Sequence, residues 1–309
     1  MNYLEFKEKL ISEMQKLFPE SKVEISEVCK NNSTSYDTMM IYSKEKNISP
    51  CVRLKSYYDD FVNSDKNESF TEILNKIVTV YLTAIEVKKD NTFYDAVTDY
   101  NEIKDNITCR LVNRALNRVL LDTIPYTTYL DEFAVTYSVV LKQKKDSIES
   151  IRVTNILMEN WNISLQDLHE IALNNTIMLF PKVTWRMDEI ICKIIGELMP
   201  EQEAEGGTVY VLSNQQGIYG ATVLIYPDAL KEFVLQYHIN MRYLYILPSS
   251  IHESIVVPSE NLSMKENFRQ MVKDVNASEV AADEVLSNQI LIYDCEKDTF
   301  LGMDKEVRE

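Results

Sequence analysis

One stretch, Tyr243 to Val257 (YLYILPSSIHESIVV), limits the fold more than any other. Two runs rich in β-branched and aromatic residues flank Pro248-Ser249-Ser250, the composition of two antiparallel strands joined by a turn. Proline has no N–H to give to a ladder, so the first strand is expected to end at Pro248. If Ile251 to Val257 is the second strand, alternation sends Ile251, Glu253, Ile255 and Val257 to one face and His252, Ser254 and Val256 to the other.

The turn also gathers the side chains of acyl-transfer chemistry. Ser249 and Ser250 are candidate nucleophiles, His252 a candidate base and Glu253 its candidate orienter, with Asp228 as a second carboxylate. Alternation would point the adjacent His252 and Glu253 apart, and the chain has no G-x-S-x-G elbow. The competing reading is a structural turn around a hydrogen-bonded histidine.

Composition narrows the function classes. With 45% hydrophobic residues in 309, the chain can bury a sizeable core and suits two domains or one large two-lobed one. Both phosphate-loop patterns, G-x-x-x-x-G-K-[ST] and G-x-G-x-x-G, are absent, which disfavours a nucleotide-loop enzyme. A net charge of -16 repels polyanions, so nucleic acid is not an expected partner. Cys29, Cys51, Cys109, Cys192 and Cys295 are widely spaced and never form C-x-x-C, which fits reduced thiols rather than disulfides or zinc. His169, His238 and His252 lie far apart in sequence, so neither a metal nor another cofactor is expected. The opening MNYLEFKEK lacks the apolar run of a signal peptide and no long apolar span follows, so the expected location is cytoplasmic, without a membrane.

Periodicity supplies the elements. Phe6, Leu10, Met14, Leu17 and Phe18 mark one face of a first helix. Strands are expected at 23–28, 38–42 and 50–54, with a turn at 44–47, then a short helix at 57–62. Ser69-Phe70-Thr71-Glu72 reads as a capping box opening a long helix that ends near 88–91. Residues 1–92 form a small α+β module in this reading, and 93–309 a larger α+β domain with an acidic linker near 200–207. Within the larger domain, strands are expected at 107–112, 133–141 and 148–153. Helices are expected at 113–121 and from Thr154, Ser164 and Asp188, with Trp161 and Trp185 as core anchors. Beyond the linker come a hairpin of 208–212 with 218–226, a helix from Pro227, the focal hairpin, a helix capped at Ser263 and a strand at 289–293. This succession favours an α+β fold of antiparallel sheets with helices packed on one face.

The stretches NISPCVRLKSYYDDF, ITCRLVNRALN, LDEFAVTYSVVL, GATVLIYPDAL, YLYILPSSIHESIVVP and VNASEVAADEVLSNQILIY resemble a bacterial family of unknown function, found mainly in anaerobic Gram-positive gut bacteria. The resemblance runs over nearly the full chain, and LPSSIHE is its most specific part. It implies the fold grouping and cellular setting and transfers no catalytic residue. Cys51 departs from the small polar residue usual after Pro50.

The leading functional reading is a non-enzymatic interaction or ligand-sensing protein that meets a protein or small-molecule partner in the groove beside the focal hairpin. The alternative is a hydrolase or transferase using Ser249 or Ser250 with His252. A third reading is a homo-oligomer assembled through the apolar face of Ile190 to Leu198.

Overall fold

A computed structural model describes residues 1–42, 52–63, 69–87, 97–145, 147–195 and 208–301. Two compact units divide the chain: Met1–Lys30 with Thr34–Asp95, and Asn31–Ser33 with Ala96–Glu309. The expected boundary at 92–93, the 200–207 linker, the 44–47 turn, the 88–91 helix end and Cys51 lie outside the described residues.

In the smaller unit, α1 (Tyr3–Leu17) opens with a capping box in which Asn2 and Glu5 satisfy each other's amides. Its stripe of Phe6, Leu10 and Met14 is buried. Strands β1 (Lys22–Cys29), β2 (Ser35–Tyr42) and β3 (Val52–Arg53) form an antiparallel sheet in that order. Helices α2 (Lys55–Val62) and α3 (Phe70–Val87) follow, and the Ser69–Glu72 capping box starts the second. Met39 and Ile41 of the sheet share one core with Phe6 and Leu10 of α1 and with Ile73 and Ile77 of α3.

Among the described residues the larger unit carries two sheets. In the four-stranded one, β6 (Phe133–Lys144) is central, with β4 (Ile107–Asn113) on one side and β5 (Tyr126–Tyr129) and β7 (Ser147–Arg152) on the other. The six-stranded sheet contains β8 (Lys182–Arg186), β9 (Tyr210–Asn214), β10 (Tyr243–Leu247), β11 (Ser254–Ser259), β12 (Leu291–Asp294) and β13 (Thr299–Phe300). Its order is β13-β12-β10-β11-β9-β8, antiparallel throughout. The longer helices are α4 (Asn155–Trp161), α5 (Leu165–Leu179), α6 (Met187–Ile195), α7 (Ala229–Gln236) and α8 (Lys265–Ser278), with Thr154 and Ser164 capping α4 and α5.

The focal hairpin is apolar on both faces, and this decides how it packs. Leu244, Ile246 and Val256 join the main core with Phe133, Tyr137 and Phe233, whereas Tyr245, Leu247 and Val257 meet Val272 of α8. Helices therefore cover both faces of the six-stranded sheet, α7 on one and α8 on the other, where one covered face was expected. Trp161 is buried and its Nε1–H donates to the Val97 carbonyl at 3.0 Å. Trp185 lies half-buried on β8.

Several local expectations are corrected. Residues 218–226 are not a strand, because β8 and β11 occupy both edges of β9; the segment is a left-handed residue, Tyr219, followed by a 3-10 turn, Gly220–Ile225. The 113–121 helix shrinks to one turn at Arg118–Leu121, since Asn113 Oδ1 takes the Leu116 N–H at 2.9 Å and holds a turn instead. Ser263 does not cap α8: it bonds to Asn261, and Glu266 pairs with Arg269 at 3.0 Å. The helix expected from Pro227 begins at Ala229, behind a left-handed Asp228. Strand β11 starts only at Ser254, so Ile251 escapes the alternation and joins Val256 in the main core. On α6, Ile190 is half-buried and Ile191 is 37% exposed, and the side chains from 193 onward lie outside the described residues.

Among the described residues strand β4 pairs with β6 alone, which leaves its outer edge without a strand neighbour. Side chains satisfy it. Cys109 N–H donates to Thr176 Oγ1 at 2.7 Å, Leu111 N–H to Thr222 Oγ1 at 3.2 Å, and Asn175 Nδ2 donates to the Ile107 carbonyl at 3.0 Å.

Candidate functional site

The segment after β10 is built by its neighbours on both sides. Pro248 ends the strand as expected, and residues 249–251 then run beside 284–286. Leu286 N–H donates to the Ser249 carbonyl at 2.8 Å, Ile251 N–H to the Glu284 carbonyl at 2.9 Å, and Ser250 bridges Val285. On the other side, Ser213 Oγ donates to the His252 carbonyl at 2.7 Å and Ala221 N–H to the Ile251 carbonyl at 3.2 Å. Gly220 fits between these groups only because it lacks a Cβ, which would lie 1.9 Å from Ser213 Oγ and 2.3 Å from the His252 carbonyl oxygen.

This scaffold fixes His252. Its Nδ1 accepts the Tyr219 N–H at 3.4 Å, its Nε2 lies 3.5 Å from Glu284 Oε1, and its ring stacks on Tyr219 with centroids 6.0 Å apart. With Nδ1 accepting, the neutral ring carries its proton on Nε2, facing the carboxylate. The line continues past Tyr219: the Arg110 guanidinium sits 4.0 Å from the Tyr219 ring centroid and donates from Nη2 to Ser150 Oγ at 2.6 Å. Arg110, Tyr219, His252 and Glu284 thus form a strip of cation, ring, ring and carboxylate.

The candidate nucleophiles are placed differently from a catalytic pair. Ser250 is buried and its Oγ accepts the His252 backbone N–H at 3.0 Å, a local turn bond. Ser249 is half-buried, and among the described residues no hydrogen bond joins either serine hydroxyl to the His252 ring. Glu253 is half-buried and makes no ion pair among the described residues, and Asp228 is exposed at the start of α7. The structure brings His252 to Glu284 and Tyr219, not to the carboxylates expected from sequence.

Arg110, Tyr219 and Glu284 escaped the sequence reading. Arg110 had a signal, as the one charged residue of ITCRLVN, a strand otherwise buried along its length. Tyr219 and Glu284 had none, because both act through contacts remote in sequence. A small cavity of about 10 Å³ lies at the Arg110 end, lined by Thr108, Arg110, Asn214 and Tyr219 among others, with room for about one water.

Burial also acts on titratable groups outside the strip. Burial pushes the Cys109 thiol up to about 12 and the Cys295 thiol, also near Asp294, up to about 11. His169 lies with Nδ1 3.0 Å from the Tyr137 hydroxyl and 3.3 Å from Thr127 Oγ1, and burial holds its pKa below the ordinary value. Among the described residues, no group of three His, Cys, Asp or Glu side chains is placed to hold a metal ion, and no helix is long and apolar enough to cross a membrane.

Fold and site define an α+β protein of open antiparallel sheets, with a polar and aromatic strip at the end of its central hairpin. A model for a family of unknown function, DUF5688, matches residues 3–295, and the chain belongs to that family. No curated protein and no solved structure matches it.

Proposed function

We propose that this is a non-enzymatic, cytosolic ligand-binding protein that uses the strip from Arg110 through Tyr219 and His252 to Glu284. The observation that carries the reading is the fixed His252 ring: Nδ1 is engaged by a backbone amide at 3.4 Å and Nε2 faces Glu284 at 3.5 Å. Such a ring serves as a surface and a hydrogen-bond donor, whereas a general base needs a nitrogen turned to its nucleophile. A cation, two stacked rings and a carboxylate held in order supply charge, stacking and an acceptor to one ligand.

The test is a thermal-shift screen against metabolites, nucleotides and metals, run on the wild type, His252→Ala and Ser249→Ala. Binding to the native state raises Tm by mass action. The expected result is a hit kept by Ser249→Ala and lost by His252→Ala, with the latter about 1 kcal/mol less stable for its lost hydrogen bond. Turnover of an ester or amide substrate that Ser249→Ala or Ser250→Ala abolishes would overturn the proposal in favour of a hydrolase.

A further inference from the structure

Arg110 is the member of the strip whose surroundings do not complete its chemistry. Its strand neighbours Cys109 and Leu111 point into the main core, while Arg110 points to the opposite face and reaches across β6 to Ser150 of β7. Among the described residues no carboxylate lies within 4.0 Å of its guanidinium, although the chain has 48 acidic residues to supply one. Burial is the largest influence on its pKa and draws it down; nearby Tyr219 offsets this in part, and Arg152 adds repulsion. Arginine remains charged in spite of this.

Two further observations point to the same place. Tyr219, whose ring supports the guanidinium, holds φ at 54°, a left-handed conformation disfavoured for an aromatic residue and kept only where the surroundings impose it. The cavity of about 10 Å³ opens beside the same two side chains. A half-buried cation with no counter-ion among the described residues, supported by a strained aromatic residue and adjoining a cavity, is a site for a negatively charged group.

We infer that Arg110 receives the carboxylate end of a small organic acid, held by guanidinium N–H groups and by the hydroxyl of Ser150, with Tyr219 as its floor. The inference rests on the proposed binding role of the strip and names the chemistry of its ligand. A planar carboxylate matches the guanidinium fork edge to edge, two oxygens meeting two N–H groups.

The experiment titrates the full chain with acetate, succinate and inorganic phosphate at constant ionic strength, reading Tm and heat of binding, with sodium chloride as control. Saturable binding of a carboxylate is expected, at least tenfold weaker in Arg110→Lys and Ser150→Ala and lost in Arg110→Gln. Ser150 is half-buried at the sheet margin, so its variant keeps the test decisive should Arg110→Gln fail to fold. An equal response in all variants, or in the chloride control, overturns the inference. So does a response to phosphate alone. Silence toward all three anions, while a screening hit is still lost in His252→Ala, overturns this inference and leaves the binding role standing; a hit unaffected by His252→Ala removes the binding role itself.

Discussion

Gly220 shows how little room the site leaves. A methyl group at this position would overlap Ser213 Oγ, the His252 carbonyl and the Asn214 amide, two of which are backbone groups with nowhere to move. Gly220→Ala is therefore expected to lose about 2–3 kcal/mol by overpacking, with the loss read from urea denaturation. It is also expected to release the Ser213–His252 bond and abolish ligand binding. A variant as stable as the wild type would show that the segment yields where the packing says it does not. The residue scale was also the least legible in sequence. LPSSIHE marks the turn that carries His252, yet the partners of His252 are Tyr219 and Glu284, 33 and 32 positions away, and no spacing rule reaches that far.

At the scale of elements, helical periodicity served well for α1 and α3, where one face alone is buried, and continuous apolar runs served for β4 and β6, which are buried on both faces. It failed at ATVLI and KVTWR. The first has a strand's composition, but tertiary contacts fold it into a 3-10 turn; the second is nowhere fully buried and gave no apolar run to read. The 3-10 turn has a function in the fold that a strand lacks, since it presents Thr222 Oγ1 to the Leu111 amide at 3.2 Å. Thr222→Val keeps the shape and removes the acceptor. It is expected to cost about 1–3 kcal/mol, the cost of leaving a buried amide unsatisfied. A change in urea midpoint equivalent to less than about 0.5 kcal/mol, the range of an ordinary surface substitution, would mean that another group takes the bond.

For the molecule as a whole, pH acts through opposing effects. Acidification relieves the self-repulsion of a chain at -16, which favours the folded state. His169 works the other way. Its folded pKa is lowered by burial, so the unfolded chain takes up the proton first; the stability this group contributes is complete above the unfolded value of about 6.5 and is lost as pH falls toward the folded value. Between pH 7.5 and 5.5, melting curves should show His169→Gln losing less stability than the wild type, and equal losses would remove His169 from the account. The outer edge of β4 has a last consequence. Open strand margins are where one copy of a protein recruits another into swapped dimers and fibrils. Here the margin is closed by Asn175, Thr176 and Thr222, from a helix and a turn, instead of by another strand. Its protection against self-association therefore lasts only as long as those two elements stay docked, and loosening the 3-10 turn would expose a template before the sheet itself had melted.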